Sequence, residues 1–142
     1  RAVDGCAGGG AGVSNRPVHF AIHASEPEKS IAFYKALFGW RFDKYPMPFD
    51  YWGVITGEDG ERGINGGLLP RRGPPPVDGA PVNSWTLTVK VDDVDAIMAK
   101  AEELGGKLAL PKMAIPHVGF VAYIKDVDGN ILGLQQDDPG AR

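Results

Sequence analysis

Two stretches of the chain show the same succession of hydrophobic patterns, a period of two followed by a helical period. In the first stretch, apolar residues at positions 18, 20 and 22 alternate with more polar ones, which predicts a half-buried strand. Ser25 and Glu28 then have the spacing of a capping box, and Gly39 can supply the left-handed residue that ends a helix. The apolar residues between them share one helical face: Ile31, Tyr34, Leu37 and Phe38.

Three further strands and a linker are predicted after this helix. The strand candidates cover about residues 40–45, 50–56 and 64–69, with a polar turn at 57–61. Residues 71–83 contain prolines at 74, 75, 76 and 81 and show no periodicity, which predicts an extended linker between two units.

The second stretch repeats the order of the first. A strand is predicted at 85–91, then a helix capped by Asp92 or Asp93, then strands at 107–110, 119–125 and 131–136, with a tight turn at 126–130. The alternation places Trp85 with the residues that pack against the helix, so Trp85 is predicted to lie in the core. It places Thr86 and Thr88 on the opposite face of the strand.

A shift of 67 positions superimposes the two stretches, laying Ser25 on Asp92, Leu37 on Leu104 and Gly39 on Gly106. The predicted fold is therefore α+β, with two paired β-α-β-β-β modules. The predicted boundaries are an N-terminal tail at 1–16, modules at 17–70 and 84–136 joined by the linker, and a C-terminal tail at 137–142. A sheet covered by one helix has a bare face, which must pair with another surface or bind something.

Composition narrows the classes of partner. Of the 142 residues, 43% are hydrophobic and 23% are charged, as in an ordinary globular domain. The net charge of −3 without a basic stripe argues against nucleic acid, and no apolar run reaches the roughly 20 residues of a membrane span.

Cys6 is the only cysteine, which excludes an intrachain disulfide or a thiolate zinc site and favours a reducing compartment. Residues 1–15 are glycine-rich and lack the charged and apolar regions of a signal peptide. We therefore expect a flexible tail and a cytoplasmic location.

Several short motifs in this order resemble the vicinal oxygen chelate superfamily, which includes glyoxalase I, extradiol dioxygenases, fosfomycin-resistance enzymes and bleomycin-binding proteins. The motifs are the strand that carries His19, residues 28–34 with 37–40, and residues 91–96, 104–106 and 126–130. The resemblance covers roughly residues 17–136 and implies paired modules whose sheets curl around a shared cavity.

The resemblance also implies where a metal would bind. In metal-dependent members, four side chains from the first and last strand of each module hold a divalent cation. His19 matches the first of these positions, but the second module has Thr86 and Gly133 where ligands would stand, and residues 65–67 offer no carboxylate. With one ligand of four retained, we expect no metal cofactor. A reduced site built from His19 and His117 is the alternative.

The candidate site is expected on the cavity side of the strands. His19 is either a general base, a hydrogen-bonding anchor for the ligand, or a polar residue that faces a wet cavity without a role. His117 lies in a loop flanked by prolines and could overhang the cavity. The other candidate ligand-binding residues are Trp52, Thr86, Thr88, Tyr123 and Gly133.

Two main functional hypotheses follow from the resemblance. The first is a protein that binds a small organic molecule without the usual metal, like the bleomycin-resistance members, with a homodimer possible. The second is a lyase, isomerase or dioxygenase that uses His19 as a base or as part of a reduced metal site. A module for protein–protein contact is a weaker third hypothesis. Glyoxalase I activity itself is not expected, because three of the four metal ligands are missing.

Overall fold

The computed structural model describes residues 15–142, so Cys6 and nearly all of the predicted N-terminal tail lie outside the described residues. The first module contains β1 (Phe20–Ala24), α1 (Pro27–Phe38), β2 (Arg41–Lys44), β3 (Trp52–Ile55) and β4 (Gly66–Pro70). The second module contains β5 (Thr88–Lys90), α2 (Val94–Glu103), β6 (Lys107–Ile115), β7 (Gly119–Lys125) and β8 (Ile131–Asp137).

Each module forms one four-stranded sheet with the same topology. The strand orders are β1-β4-β3-β2 and β5-β8-β7-β6. In each sheet the first and last strands of the module run parallel and the other neighbours run antiparallel. The α+β fold with two β-α-β-β-β modules is thus confirmed.

The helix ends follow the predicted residues with one exception. Gly39 ends α1 at a φ of 75°, and its N–H donates to the Lys35 carbonyl. Asp93 caps α2 by accepting a 3.1 Å hydrogen bond from the Ala96 N–H. The capping box at Ser25 is wrong, because Glu26 is the N-cap of α1 and makes no side-chain capping bond. The Ser25 hydroxyl instead donates to Asp128 of the second module.

The two modules share one hydrophobic core, which lies on the helix-covered faces of both sheets. Helix α1 packs against α2 in this core. The buried side chains from the two modules include Phe33, Leu37, Val54, Leu68, Val94, Ala101, Ile124 and Leu134. The face of each sheet opposite its helix, here called the open face, therefore carries exposed apolar side chains at the surface of a single chain.

The prediction that Trp85 lies in the core is wrong, because this side chain is 91% exposed. Strand β5 begins only at Thr88, so the alternation that assigned Trp85 to the helix side does not extend back to it. Val89, inside the strand, does pack against the core as the same alternation predicts.

Polar contacts join the first module to the turn between β7 and β8. The Tyr34 hydroxyl donates a 2.6 Å hydrogen bond to Asp126, and both residues are buried. Arg71, the first residue after β4, donates to the His23 carbonyl and to the side chains of Asp128 and Asn130. One guanidinium therefore ties the first module to the turn between β7 and β8.

No helix within residues 15–142 combines the length and the apolar character that crossing a membrane requires.

Candidate functional site

The open face of the first sheet is floored by two glycines at its centre. Gly53 of β3 and Gly67 of β4 are paired with each other, and Ala21 of β1 lies beside Gly67. Their neighbours along the strands, such as Val54 and Leu68, point to the core. The side-chain alternation of strands therefore leaves the middle of this open face without side chains of its own.

Two tyrosine rings lie on this glycine floor. A Cβ added to Gly67 would overlap the Tyr51 ring, and one added to Gly53 would overlap the Tyr45 hydroxyl. Neither glycine has the left-handed backbone that favours this residue. The tyrosine hydroxyls use the space that these glycines leave, and a larger residue at either position would require the tyrosine above it to shift.

Tyr51 is the centre of an aromatic shelf, defined here as Tyr45, Phe49 and Tyr51. Its ring centroid lies 5.7 Å from that of Tyr45 and 6.2 Å from that of Phe49, which it meets edge-on at 75°. Tyr45 is 42% exposed and Phe49 is 46% exposed. The shelf is an exposed surface of ring faces and edges, suited to contact with a flat ligand.

His19 borders the shelf. Its Nε2 atom lies 3.1 Å from the Tyr51 hydroxyl, and which of the two groups donates depends on the tautomer of the imidazole. The imidazole thus fixes the far end of the Tyr51 side chain, and the predicted candidate His19 does lie at the open face.

The ionic groups near the shelf are paired with each other. Arg41 contacts Asp43 at 3.1 Å, and Lys44 contacts Asp50 at 3.1 Å. Lys44 also lies 5.1 Å from the ring centroid of Trp52. This pairing leaves the aromatic rings and His19 as the chemistry that the shelf presents to a ligand.

The open face of the second sheet is more aliphatic. Thr88, Gly133, Tyr123 and Leu110 form one row across its four strands. A Cβ on Gly133 would come within 2.7 Å of the Thr88 hydroxyl and 3.1 Å of the Tyr123 ring. The predicted candidates Thr88, Tyr123 and Gly133 are therefore brought together on one surface, beside the exposed Leu110 and Met113.

The remaining candidates are placed elsewhere. Trp52 is only 8% exposed and lies on the helix-covered face, while its neighbour Tyr51 occupies the open face. Thr86 is exposed and precedes β5. His117 is exposed at the turn between β6 and β7, where its backbone N–H donates to the Ala141 carbonyl. His117 and His19 thus belong to different sheets.

The side chains at the expected metal positions do not fit a divalent cation. His19 is engaged with Tyr51, Thr86 is exposed ahead of β5, and the last strands present Gly67 and Gly133 on their open faces. Within residues 15–142, no three His, Cys, Asp or Glu side chains are grouped closely enough to hold a metal ion. One imidazole and a threonine hydroxyl are a poor donor set for zinc, manganese or iron.

The aromatic shelf was not predicted from the sequence. The available signal was a glycine inside each of two neighbouring strands with a tyrosine close by, as in Tyr51-Trp52-Gly53. A glycine inside a strand often marks a close approach of another group. Which group approaches depends on the register between strands, and a single sequence does not reveal that register.

With this geometry in hand, comparison with known proteins identifies the family. The chain belongs to the Glyoxalase/Bleomycin resistance protein/Dioxygenase superfamily, whose family model matches residues 16–134. The resemblance to the vicinal oxygen chelate proteins is thereby confirmed.

A relative from Mycobacterium bovis, provisionally named glyoxylase CFP32, is 34% identical over 118 residues, which are 81% of this chain and 43% of that protein. Its Mycobacterium tuberculosis counterpart gives the same values. The chain thus spans less than half the length of these relatives.

Solved structures with the same fold include proteins with different ligands. TnmS3, an antibiotic binding protein from Streptomyces sp. CB03234, is 26% identical with a TM-score of 0.63, covering 89% of this chain and 100% of that one. FosX, a fosfomycin resistance protein from Listeria monocytogenes crystallised with Mn(II), is 15% identical with a TM-score of 0.65, covering 89% of this chain and 92% of that one. At that identity, the likeness to FosX supports the fold alone.

Proposed function

We propose that this chain binds a small organic molecule with a flat aromatic portion on the open face of its first sheet, without a catalytic metal. The observation that carries the proposal is the aromatic shelf, whose rings are exposed although they lie over a glycine floor. Leaving aromatic surface of this kind in water is unfavourable, and a ligand that covers the surface recovers that free energy. The antibiotic-binding relative TnmS3 supports this function by analogy.

We further propose that a second copy of the chain completes the site. The two open faces of one chain do not meet each other, because the modules join through their helices. Leu110 and Met113 are 49% and 48% exposed on the second open face. In a twofold dimer, the shelf of one copy would face the aliphatic surface of its partner, giving two equivalent clefts.

The side chains available as metal ligands favour a site that works without a metal. His19 would then act as a hydrogen-bonding anchor next to the shelf. A divalent cation would need ligands that Gly67 and Gly133 do not supply.

Catalysis by His19 is the second candidate function. The observation in its favour is the 3.1 Å contact between His19 Nε2 and the Tyr51 hydroxyl, since a paired imidazole and phenol can pass a proton to or from a bound substrate. The provisional name of the CFP32 relatives agrees with an enzyme of the lyase or isomerase type. Turnover of a substrate that is lost in His19→Gln but not in Thr86→Ala would favour this candidate.

The proposed binding function can be tested with flat probes and their ring-saturated analogues, such as 2-naphthol and decahydro-2-naphthol, by calorimetry. We expect the flat probe to bind more tightly. We also expect the double variant Tyr45→Ala, Phe49→Ala to lose at least about fivefold in affinity, because two aromatic contacts of about 0.5–1.5 kcal/mol each are removed. Val77→Ala, at an exposed linker position, is the matched control. Equal binding of the saturated probe, or full binding by the double variant, would overturn the proposal.

A further inference from the structure

The side chain of Tyr51 crosses the open face of the first sheet. Tyr51 immediately precedes β3, yet the hydroxyl end of its ring extends across the open face over Gly67 of the next strand. Its hydroxyl reaches His19, which immediately precedes β1. The side chain therefore spans three of the four strands of the sheet. The Tyr51 side chain thus lies over Gly67, contacts His19 at its hydroxyl and lies beside the Tyr45 ring.

The Tyr51 ring is not held there by the hydrophobic core. It lies on the face of the sheet opposite the helix, and its aromatic neighbours Tyr45 and Phe49 are themselves partly exposed. One solvent-exposed hydrogen bond to His19 fixes its far end. Such a bond adds little to stability because water competes for both partners. The ring can thus leave Gly67 by a side-chain rotation that does not disturb the core.

We infer that the space over Gly67 is a binding slot for a phenolic ring of the ligand, and that Tyr51 is a resident side chain which such a ring displaces. The chemical class follows from the occupant: the space over Gly67 already holds the hydroxyl end of a phenol ring, and that hydroxyl is in hydrogen-bond contact with the His19 imidazole. This inference rests on the proposed function, since it names the part of the ligand that the open face recognises.

The slot explains why a glycine stands at position 67. A methyl group there would occupy the space of the ring itself, and the Gly67 backbone does not require glycine. The His19 imidazole would distinguish a phenol from a plain arene, because only a phenol can replace the hydrogen bond of the Tyr51 hydroxyl.

The test removes the resident ring and supplies it again from solution. The variant Tyr51→Ala vacates the slot, and 4-methylphenol, which is the tyrosine side chain as a free molecule, is titrated against the full chain while binding is followed by calorimetry and by the NMR signals of the His19 imidazole. We expect Tyr51→Ala to bind 4-methylphenol at least tenfold more tightly than the wild type, with the His19 signals shifting. Toluene should bind Tyr51→Ala about two- to threefold more weakly, the factor that one solvent-exposed hydrogen bond of about 0.5 kcal/mol provides.

Two further variants control for folding and for location. Tyr51→Phe keeps the slot filled and should not gain affinity for 4-methylphenol, and adding Gly67→Ala to Tyr51→Ala should abolish the gain while the melting curve stays cooperative. Equal binding of toluene, no gain in Tyr51→Ala, or a gain that survives Gly67→Ala would overturn the slot. Because the wild type is probed separately with 2-naphthol, binding there without rescue in Tyr51→Ala would refute the slot alone, and rescue without 2-naphthol binding would refute the proposed function alone.

Discussion

The Tyr34 hydroxyl donates its 2.6 Å hydrogen bond to Asp126 across the boundary between the modules, from helix α1 to the turn that follows β7. Asp126 also accepts from the Asn130 side chain and from the backbone N–H groups of Asp128 and Asn130, so its carboxylate is fully used. A buried carboxylate with four donors organises the turn and the module boundary together.

Tyr34→Phe should therefore destabilise the chain by about 1.5–3 kcal/mol, because it removes one donor from a buried charged acceptor while keeping the ring. Urea denaturation at neutral pH measures this change. The matched control is Tyr123→Phe on the open face of the second sheet, where we expect a change below about 0.5 kcal/mol. Equal losses for the two variants would show that the module boundary does not depend on this bond.

The same pair predicts a loss of stability in alkali. Burial, and then the negative charge of Asp126, raise the pKa of the Tyr34 phenol well above its ordinary value of 10.0. The unfolded chain therefore releases this proton near pH 10 while the folded chain keeps it, so the free energy of unfolding falls as the pH rises above about 10. Tyr34→Phe should show a smaller fall between pH 8.5 and 10.5 than the wild type. A parallel pH dependence in both proteins would contradict the assignment.

Arg71 and Arg72 provide a matched pair at the linker. Arg71 holds the His23 carbonyl, Asp128 and Asn130, and its side chain is only 17% exposed, whereas Arg72 is exposed. Arg71→Ala should cost about 2–4 kcal/mol of unfolding free energy, since it leaves acceptors of a partly buried network without their donor. Arg72→Ala should change it by less than about 0.5 kcal/mol. Chemical denaturation of both variants checks the difference, and similar values would argue against the network.

Ser30 is a buried residue of α1 whose hydroxyl finds no hydrogen-bond partner among the described residues 15–142. Ser30→Ala should leave stability unchanged or raise it by up to about 1 kcal/mol, because it removes an unsatisfied polar group and improves helix propensity. The reciprocal change Ala101→Ser, at a buried position of α2, should lower stability. Thermal unfolding distinguishes these cases, and a clear loss in Ser30→Ala would mean that the hydroxyl has a partner in solution.

The three tryptophans of the chain differ strongly in exposure: Trp85 is 91% exposed, whereas Trp40 and Trp52 are 9% and 8% exposed. Iodide should quench the fluorescence of Trp85 selectively, and Trp85→Ala should remove the quenchable component with a stability change within about 0.5 kcal/mol. Trp52→Ala should cost about 3–5 kcal/mol. Quenching that weakens as protein concentration rises would indicate that a second copy covers Trp85, whereas complete protection at all concentrations would contradict the exposed placement.

The metal-free proposal has a direct thermodynamic test. A cation that binds only the folded chain raises its melting temperature by mass action. We expect no shift with zinc, nickel, manganese or iron(II), and no difference in metal content between wild type and His19→Ala. A shift that disappears in His19→Ala would show that His19 is a ligand after all.

Most of the fold could be predicted because it depends on local pattern. The 3.6-residue period, Gly39 and Asp93 define the helices, and the repeat of 67 positions reveals the second module from the first. The sequence predicts a strand at 107–110, but β6 runs past Pro111. It continues to Ile115 because β6 is an edge strand with an irregular register, where a missing N–H costs no ladder bond.

The site was less predictable, because it depends on which face a strand presents and on which strands are neighbours. His19 could be assigned to the open face from the adjacent helix pattern. Tyr51 and Trp52 could not be distinguished, since no helix pattern fixes the parity of their strand, and the structure places Tyr51 on the open face. The contact between the modules also involves side chains about 90 positions apart, such as Tyr34 of α1 and Asp126 after β7, which no local pattern connects.

The separation of each strand into a core-facing and an open-facing set of positions has a consequence for how this chain can evolve. Residues such as Val54 and Leu68 hold the modules together, whereas the open-facing positions between them carry little of the folding free energy. New ligand preferences can therefore accumulate by substitution at open-facing positions without crossing the stability threshold. Gly53 and Gly67 are the exceptions, because any side chain there would displace a tyrosine, so lineages that keep the aromatic shelf should retain both glycines while the surrounding positions diversify.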